Sequence, residues 1–422
     1  MQAGIITIGD EILLGQVVDT NSAWMGQQLA SIGISVPGKW SVGDDLSAIK
    51  GALQQAVQNC DIVFITGGLG PTKDDITKIA LADFLGVDMY FDQATYDRIV
   101  AIFKKLYKPL SESHRGQCML PQGTKLLHNS QGTAPGMWFE HEKKHIISMP
   151  GVPSEMKAIM TEEVLPKLKE SSSLTILHRT LLTSCMSETV IEDKIQPYIK
   201  ELPPYVSFAF LPSLAQVRVR VTIVKDKQDF HAQAELDTIV ENIMKIIGND
   251  VVYGMEDATL SSVIKHLCVN KGISIATAES CTGGGIAANL VSTPGSSDYF
   301  LGSVVAYRNE IKQQILKVNE DILSHYGAVS KETVEAMVMG IRNLTHADIG
   351  VAVSGIAGPS GGTPEKPVGS IWVAIGNAST MESYFIKGYL ERQKNIDYTI
   401  IFALSKLREF ILRHYVDERS AS

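Results

Sequence analysis

The sequence predicts an α/β protein of several domains: a parallel-sheet domain at the N-terminus, a small α+β module in the middle and a second α/β domain at the C-terminus. Three observations carry this. The 422 residues exceed what one ordinary core serves. Strand-length apolar runs alternate with helical periodicity in both end regions. The composition, 45% hydrophobic and 20% charged with 35 Gly and 16 Pro, is ordinary for a soluble α/β protein and leaves little room for long disorder.

GIITIG (4–9) reads as a first strand and a helix follows near 20–32. GALQQAVQN (51–59), DIVFIT (61–66) and DITKIALADFLG (75–86) continue the alternation, a βαβ series with a parallel sheet. EHEKKHIISMPG (140–151) closes a hairpin and strand, EMKAIMTEEVLPKL (155–168) is an amphipathic helix, and ESSSL (170–174) is a linker that ends a domain at residue 170. Residues 171–254 hold ILHRTLLTS, SETVIEDKIQPYIKE, VSFAF, VRVRVTIV and a helix across 229–247, a KH-like β-α-β-β-α order. That order suggests an RNA-binding fold, yet there is no GxxG loop and no paired aromatics, so a spacer or dimerisation module is the preferred reading. From 255 to 422 a helix (258–270), the strand ISIATAE (273–279), a Gly-rich turn, the helix GGIAANLVS (284–292), GSVVAY (302–307) and a helix over 309–318 follow in turn. A helix near 331–344, the strands DIGVAVSG (348–355) and SIWVAIG (370–376) and a helix over 391–413 complete this domain.

A net charge of −8 argues against a large nucleic-acid footprint and for small-molecule ligands. The N-terminus lacks a basic signal-peptide region and no apolar run reaches membrane-span length, so a cytoplasmic protein is expected, with a homodimer as the commonest assembly. The five scattered cysteines, Cys60, Cys118, Cys185, Cys268 and Cys281, have neither zinc nor redox spacing and are expected as thiols. His141 and His145 have the spacing of a metal pair, but HEKKH lies between strand-like segments, where a charged hairpin tip is the better reading.

TAESCTGG (277–284) puts Ser280 at a strand-to-helix turn, where the amides around Thr282, Gly283 and Gly284 suit an oxyanion or a phosphate. A bare serine needs a base, and no histidine stands in a suitable context. Lys312, in YRNEIKQQ (307–314), lies on the first turn of a helix after a strand, and burial lowers an amine's pKa toward working pH. The competing readings are plain ones: a helix N-cap for the serine and a solvated surface lysine. Cys281 is a rival nucleophile without a His or Asp partner. The glycines of 355–368, Gly355 and Gly358 among them, allow close backbone approach to a phosphate or ribose, and Lys366 adds charge.

AESCTGG, PGSSDYFLGSVVAYRNEIK (294–312), HYGAVS (325–330) and VSGIAGPSGGTPEKPVG (353–369) together resemble the C-terminal domain of the CinA family, the nicotinamide-nucleotide amidases. The resemblance implies that Ser280 attacks the carboxamide of nicotinamide mononucleotide while Lys312 moves the proton, without a cofactor, giving nicotinic acid mononucleotide and ammonia. Tyr307 and Asn309, beside the lysine, orient it or the substrate on this reading, or are simply sheet-edge residues. Where family members carry a Gly-Asp-Arg turn this chain departs from it and reads GYLERQKN (388–395), so the resemblance carries the phosphate contact to Arg392 without its motif.

In the first domain GDEILLGQVVDTN (9–21) and TGGLGPTKDD (66–75) follow strands, at the crevice where α/β ligands bind. Gly67, Gly68 and Gly70, with Thr72 beside them, admit a phosphate, while Asp10, Glu11, Asp74 and Asp75 either hold a divalent cation or cap helices. With NSQGTAPG (129–136) and MPGVPSEM (149–156) these motifs resemble the CinA N-terminal domain, a relative of molybdopterin-binding domains. The resemblance implies metal-dependent cleavage of ADP-ribose, with Glu155 completing the acidic set. The expected protein is thus a two-activity hydrolase of pyridine-nucleotide salvage; a non-catalytic nucleotide-binding regulator tied to competence or DNA repair is the alternative.

Overall fold

A computed structural model describes residues 1–70, 72, 75–107, 109–111, 113–171 and 174–415. The chain divides into two compact units, Met1–Leu177 with Val224–Ala232, and His178–Ile223 with Gln233–Ser422.

Unit 1 is built on strands β1 (Gln2–Ile8), β2 (Ser35–Val42), β3 (Ile62–Thr66), β4 (Met89–Phe91), β5 (Met119–Pro121), β6 (Lys125–Leu127), β7 (Gly136–His141) and β8 (Lys144–Met149). Six of them form one sheet in the order β2-β1-β3-β8-β7-β6, and β4 pairs with β5 separately. The pairings β1–β2, β1–β3 and β3–β8 are parallel, whereas β7–β8 and β6–β7 are antiparallel. β1 and β3 are buried on both faces, as parallel strands between helical layers must be. One apolar layer packs Met25, Leu29 and Met156 on Ile5 and Phe64, and the other packs Ile49, Leu53 and Leu81 on Ile6 and Ile65. The β7–β8 hairpin turns at Glu142 and Lys143, both in the left-handed region. Glu140 faces His145 across the hairpin, so alternation sends His141 and His145 to opposite faces and they form no metal pair. His145 instead meets the Trp138 indole and His141 packs on Phe84.

The middle module contributes β9 (Leu174–Ser184), β10 (Val206–Ser213), β11 (Gln216–Asp226) and β12 (Val252–Met255), in the order β10-β11-β9-β12. In unit 2 its Leu182 and Tyr253 belong to the same apolar cluster as Ile275, Leu404 and Phe410. Arg408 donates to the carbonyls of Asn249, Asp250 and Val252 at 2.8–3.1 Å, and Ser184 meets Ser405 at 2.9 Å. Those contacts tie most of the middle module, residues 178–223 and 233–254, into one compact unit with the C-terminal region.

The C-terminal sheet has the order β14-β13-β15-β16-β17, formed by β13 (Ile275–Glu279), β14 (Phe300–Val305), β15 (Ile349–Gly355), β16 (Ser370–Gly376) and β17 (Met381–Lys387). β13 is parallel to β14 and β15, and β16 and β17 are antiparallel. The helix expected over 309–318 spans only Asn309–Gln314. Among the described residues, no helix is long and apolar enough to cross a membrane.

Candidate active site

Three parallel strand ends of unit 2 converge on Ser280. β13 delivers Glu279 and Ser280, β14 leads into Ala306 and Tyr307, and β15 ends at Gly355. Backbone bonds carry the ladder one step past the sheet: Ser280 N–H donates to Val353 O at 3.0 Å and Ala306 N–H to Glu279 O at 2.7 Å. The chain then turns through Gly283 (φ 61°) and Gly284 (φ 96°) into the helix Gly285–Val291, conformations that favour glycine.

Lys312 reaches the same point from the helix Asn309–Gln314. It is 1% exposed, and its Nζ stands 3.3 Å from Ser280 Oγ, 2.7 Å from Ala306 O and 3.5 Å from Tyr307 O. Burial pushes the Lys312 amine below the ordinary lysine value. A neutral amine has two N–H bonds and one lone pair. In that form the two carbonyls accept its N–H bonds and the lone pair faces the Ser280 hydroxyl; as an ammonium it donates to all three. Ser280 itself is 7% exposed. Cys281 is not a competing nucleophile, because burial pushes its thiol up to about 12.

The remaining predicted residues of this unit fall into two groups. Arg392, the first residue of the helix Arg392–His414, donates to Tyr307 Oη at 3.0 Å and to Gly358 O at 2.9 Å, which brings three positions distant in sequence together. Gly358 has φ 89°, and a Cβ at Gly355 would stand 2.5 Å from Ile371 Cγ1. Lys366 is committed elsewhere: its ammonium donates to Tyr326 O and Val329 O at 2.6 and 2.8 Å, strapping two loops together. Asn309 opens its helix on the surface.

The expectation that the first amides of the helix after Ser280 are open to an anion is corrected by a residue the sequence reading passed over. Glu279, fully buried, accepts from Ile286 N–H at 3.0 Å, Ala287 N–H at 2.8 Å and Thr282 Oγ1 at 2.7 Å, and from Thr277 Oγ1 at 3.2 Å. Gly285 N–H goes to Thr282 O, and Gly283 N–H to Ser280 O. Among the described residues the Cys281, Thr282 and Gly284 amides of the turn have no acceptor oxygen. The signal was an acid ending an otherwise apolar buried strand, IATAE.

Unit 1 has a cleft of about 480 Å³ at the carboxyl ends of β1 and β3, lined by Gly67, Gly68, Gly70, Thr72, Glu11, Asp75 and Glu155 among others. Gly67 (φ 113°) and Gly68 (φ 64°) are required there, since a Cβ on either would lie 2.1 Å from Ile8 O or Thr77 Oγ1. Among the described residues no three His, Cys, Asp or Glu side chains are placed to share a cation, although Asp10, Glu11 and Asp75 stand near enough to Asp44 to act on its charge. Three of these acids also bond the protein itself. Asp75 accepts from the Gly70 and Thr72 amides and the Thr72 hydroxyl, Glu155 from Asn129 Nδ2 at 2.6 Å, and Asp10 from the Asp44 amide at 3.3 Å. Asp74 lies outside the described residues. Asp19, Asn21 and Asp44 also line the cleft and were not singled out from sequence. Asp44 is held above the usual carboxylate range by burial and by the charges of Asp10, Glu11 and Asp75.

Three family models match the chain: "Probable molybdopterin binding domain" over residues 4–170, "Damage-inducible protein CinA KH domain" over 178–254 and "CinA C-terminal domain" over 257–411. A CinA-like protein of Cytophaga hutchinsonii is 41% identical over 407 residues, 96% of this chain and 97% of that protein. Another, of Salinibacter ruber, is 39% identical over 381 residues, 90% of this chain and 92% of its own. A solved structure of the protein CinA from Thermoplasma acidophilum is 36% identical, over 38% of this chain and 94% of that one, with a TM-score of 0.35. With relatives this similar along nearly the whole length, the chain belongs to the CinA family.

Proposed function

We propose that the C-terminal part of the chain is a serine amidohydrolase that deamidates nicotinamide mononucleotide. The observation that carries the reading is the 3.3 Å approach of a buried lysine amine to the Ser280 hydroxyl. Ser280 Oγ bonds to the carboxamide carbon as its proton passes to Lys312 Nζ. The C–N bond then breaks, and ammonia leaves with the proton returned by Lys312. Water, deprotonated by the same amine, cleaves the ester and frees nicotinic acid mononucleotide and Ser280. The Cys281 and Thr282 amides are the donors proposed for the tetrahedral oxyanion, in the manner of the amide that follows a nucleophile at a strand-to-helix turn.

The substrate is inferred from the motif resemblance, and the cation of Arg392 beside Tyr307 supports a phosphate-bearing one. The purified full chain should release ammonia from nicotinamide mononucleotide, and Ser280→Ala should abolish the release. Undiminished release by the variant removes Ser280 from the role, and nucleotide binding without turnover favours the regulator reading.

For unit 1 the cleft with its glycine-lined wall supports binding of a phosphate-bearing nucleotide, with ADP-ribose as the proposed ligand. The described acids do not fit a three-ligand cation site, so no hydrolytic step is derived through a metal. Formation of AMP and ribose 5-phosphate from ADP-ribose, with and without added divalent cation, tests whether this unit is also a pyrophosphatase.

A further inference from the structure

Glu279 takes no part in the proton transfers above, yet it is the most heavily bonded side chain at the turn. It is 0% exposed and accepts four hydrogen bonds, from Thr277 Oγ1 and Ala287 N–H on Oε1 and from Thr282 Oγ1 and Ile286 N–H on Oε2. We infer that Glu279 is a positioning residue for catalysis: it sets the turn that holds Ser280 against Lys312 and takes up the Ile286 and Ala287 amides that follow it. The inference rests on the serine–lysine reading of the site.

A carboxylate persists in a core only when donors satisfy it. Here two of the donors are backbone amides, which cannot rotate away, and they lie seven and eight residues beyond Glu279. The carboxylate therefore links the end of β13 to the helix Gly285–Val291 across the turn that contains Ser280. That turn includes Gly283 and Gly284, both at positive φ and with wide conformational freedom, so it has little rigidity of its own. Holding the Thr282 hydroxyl and the Ile286 and Ala287 amides also keeps those donors from an incoming oxyanion. An ordinary helix cap would affect stability alone. A positioning residue affects the reaction at bound substrate, because small displacements of a nucleophile cost rate more than binding.

Glu279→Gln is the direct test in the full chain. It puts an NH₂ group against two donors, one of them a backbone amide that cannot reverse. The expected result is a kcat for nicotinamide mononucleotide lower by about tenfold or more, with KM within about twofold. The rate at which a fluorophosphonate modifies Ser280 should fall in parallel. Thr282→Val removes the hydroxyl donor to Oε2 and should lower kcat less, with Thr282→Ser restoring it. If Glu279→Gln does not fold, the Thr282 pair decides. A kcat kept within about twofold in the folded variants, or a loss confined to KM, overturns the inference while leaving Ser280 as nucleophile. Absence of both ammonia release and Ser280 modification in the wild type overturns the serine–lysine reading and this inference together.

Discussion

Replacing Lys312 by Met should move activity and stability in opposite directions. Lys312 is 1% exposed, and its Nζ is met by the Ala306 and Tyr307 carbonyls and the Ser280 hydroxyl, with no carboxylate in hydrogen-bond contact among the described residues. Burial lowers its pKa below the ordinary 10.5. Between the lowered value and 10.5 the unfolded chain binds more protons than the folded one, so this group's contribution to stability rises with pH across that window. Below the window the folded protein carries the full penalty. Met fills similar space without charge, so Lys312→Met should remove that penalty and be stabilising at neutral pH. The same change removes the general base, worth about 10²–10⁴ in rate, or roughly 3–5 kcal/mol of barrier. Ammonia release at saturating substrate measures the first effect, and calorimetric unfolding at pH 7 and near pH 10 the second, where the stability gain should shrink. In the wild type kcat should rise with pH through the lowered lysine value. A Met variant that melts lower at both pH values while keeping more than about a tenth of kcat would make Lys312 a structural strap rather than a base.

Cys281→Ala should keep kcat within about threefold, since a thiol held at about 12 is protonated at neutral pH; a loss as large as that of Ser280→Ala would reverse the choice of nucleophile. Lys78, buried in unit 1 with its ammonium on Gly116 O, is lowered to about 8 from 10.5, a cost of roughly 3 kcal/mol at neutral pH. Unit 1 should therefore gain stability as pH rises from about 8 toward 10.5, and Lys78→Met should remove that slope. Trp24, Trp40 and Trp138 report unit 1 by fluorescence once Trp372 is replaced by Phe, and an unchanged slope in the Met variant refutes the assignment. Arg408→Ala leaves the Asn249, Asp250 and Val252 carbonyls without their guanidinium donor and should destabilise unit 2 by about 2–4 kcal/mol, read from its melting transition; no shift would mean that the contact is not energetically important.

What the sequence made legible was mainly local. A buried strand followed by Gly283 and Gly284 can only turn sharply, and a lysine at the start of the helix after the neighbouring strand reaches the same end of the sheet. That placed both at one end of the sheet, and the family resemblance singled them out as a pair, which stands 3.3 Å apart. The hairpin between His141 and His145 followed equally from period-two alternation. Side-chain commitments were not legible. Lys366, Asp75 and Glu155 are charged residues beside glycine-rich loops, and only their partners reveal that they hold the loops. β2 and β17 were passed over for a related reason. Both are sheet edges: SVPGKWSV carries Pro37 and Gly38, and MESYFIK is mostly half-buried, so neither has the continuous apolar run of a central strand.

The two glycine-rich turns follow one physical pattern that changes how acids near such turns should be read. A chain leaving a parallel strand through glycines at positive φ exposes amides that neither the sheet nor the next helix can satisfy. In unit 1 Asp75 satisfies those of Gly70 and Thr72; in unit 2 Glu279 satisfies those of Ile286 and Ala287. Each acid meets its own chain's need before it can serve a ligand. The donors available for chemistry are those the acid leaves, and in unit 2 these include the Cys281 and Thr282 amides next to the nucleophile. An acid at such a turn therefore argues less for a metal than for the identity of the free amides, and the reactive geometry is specified by subtraction.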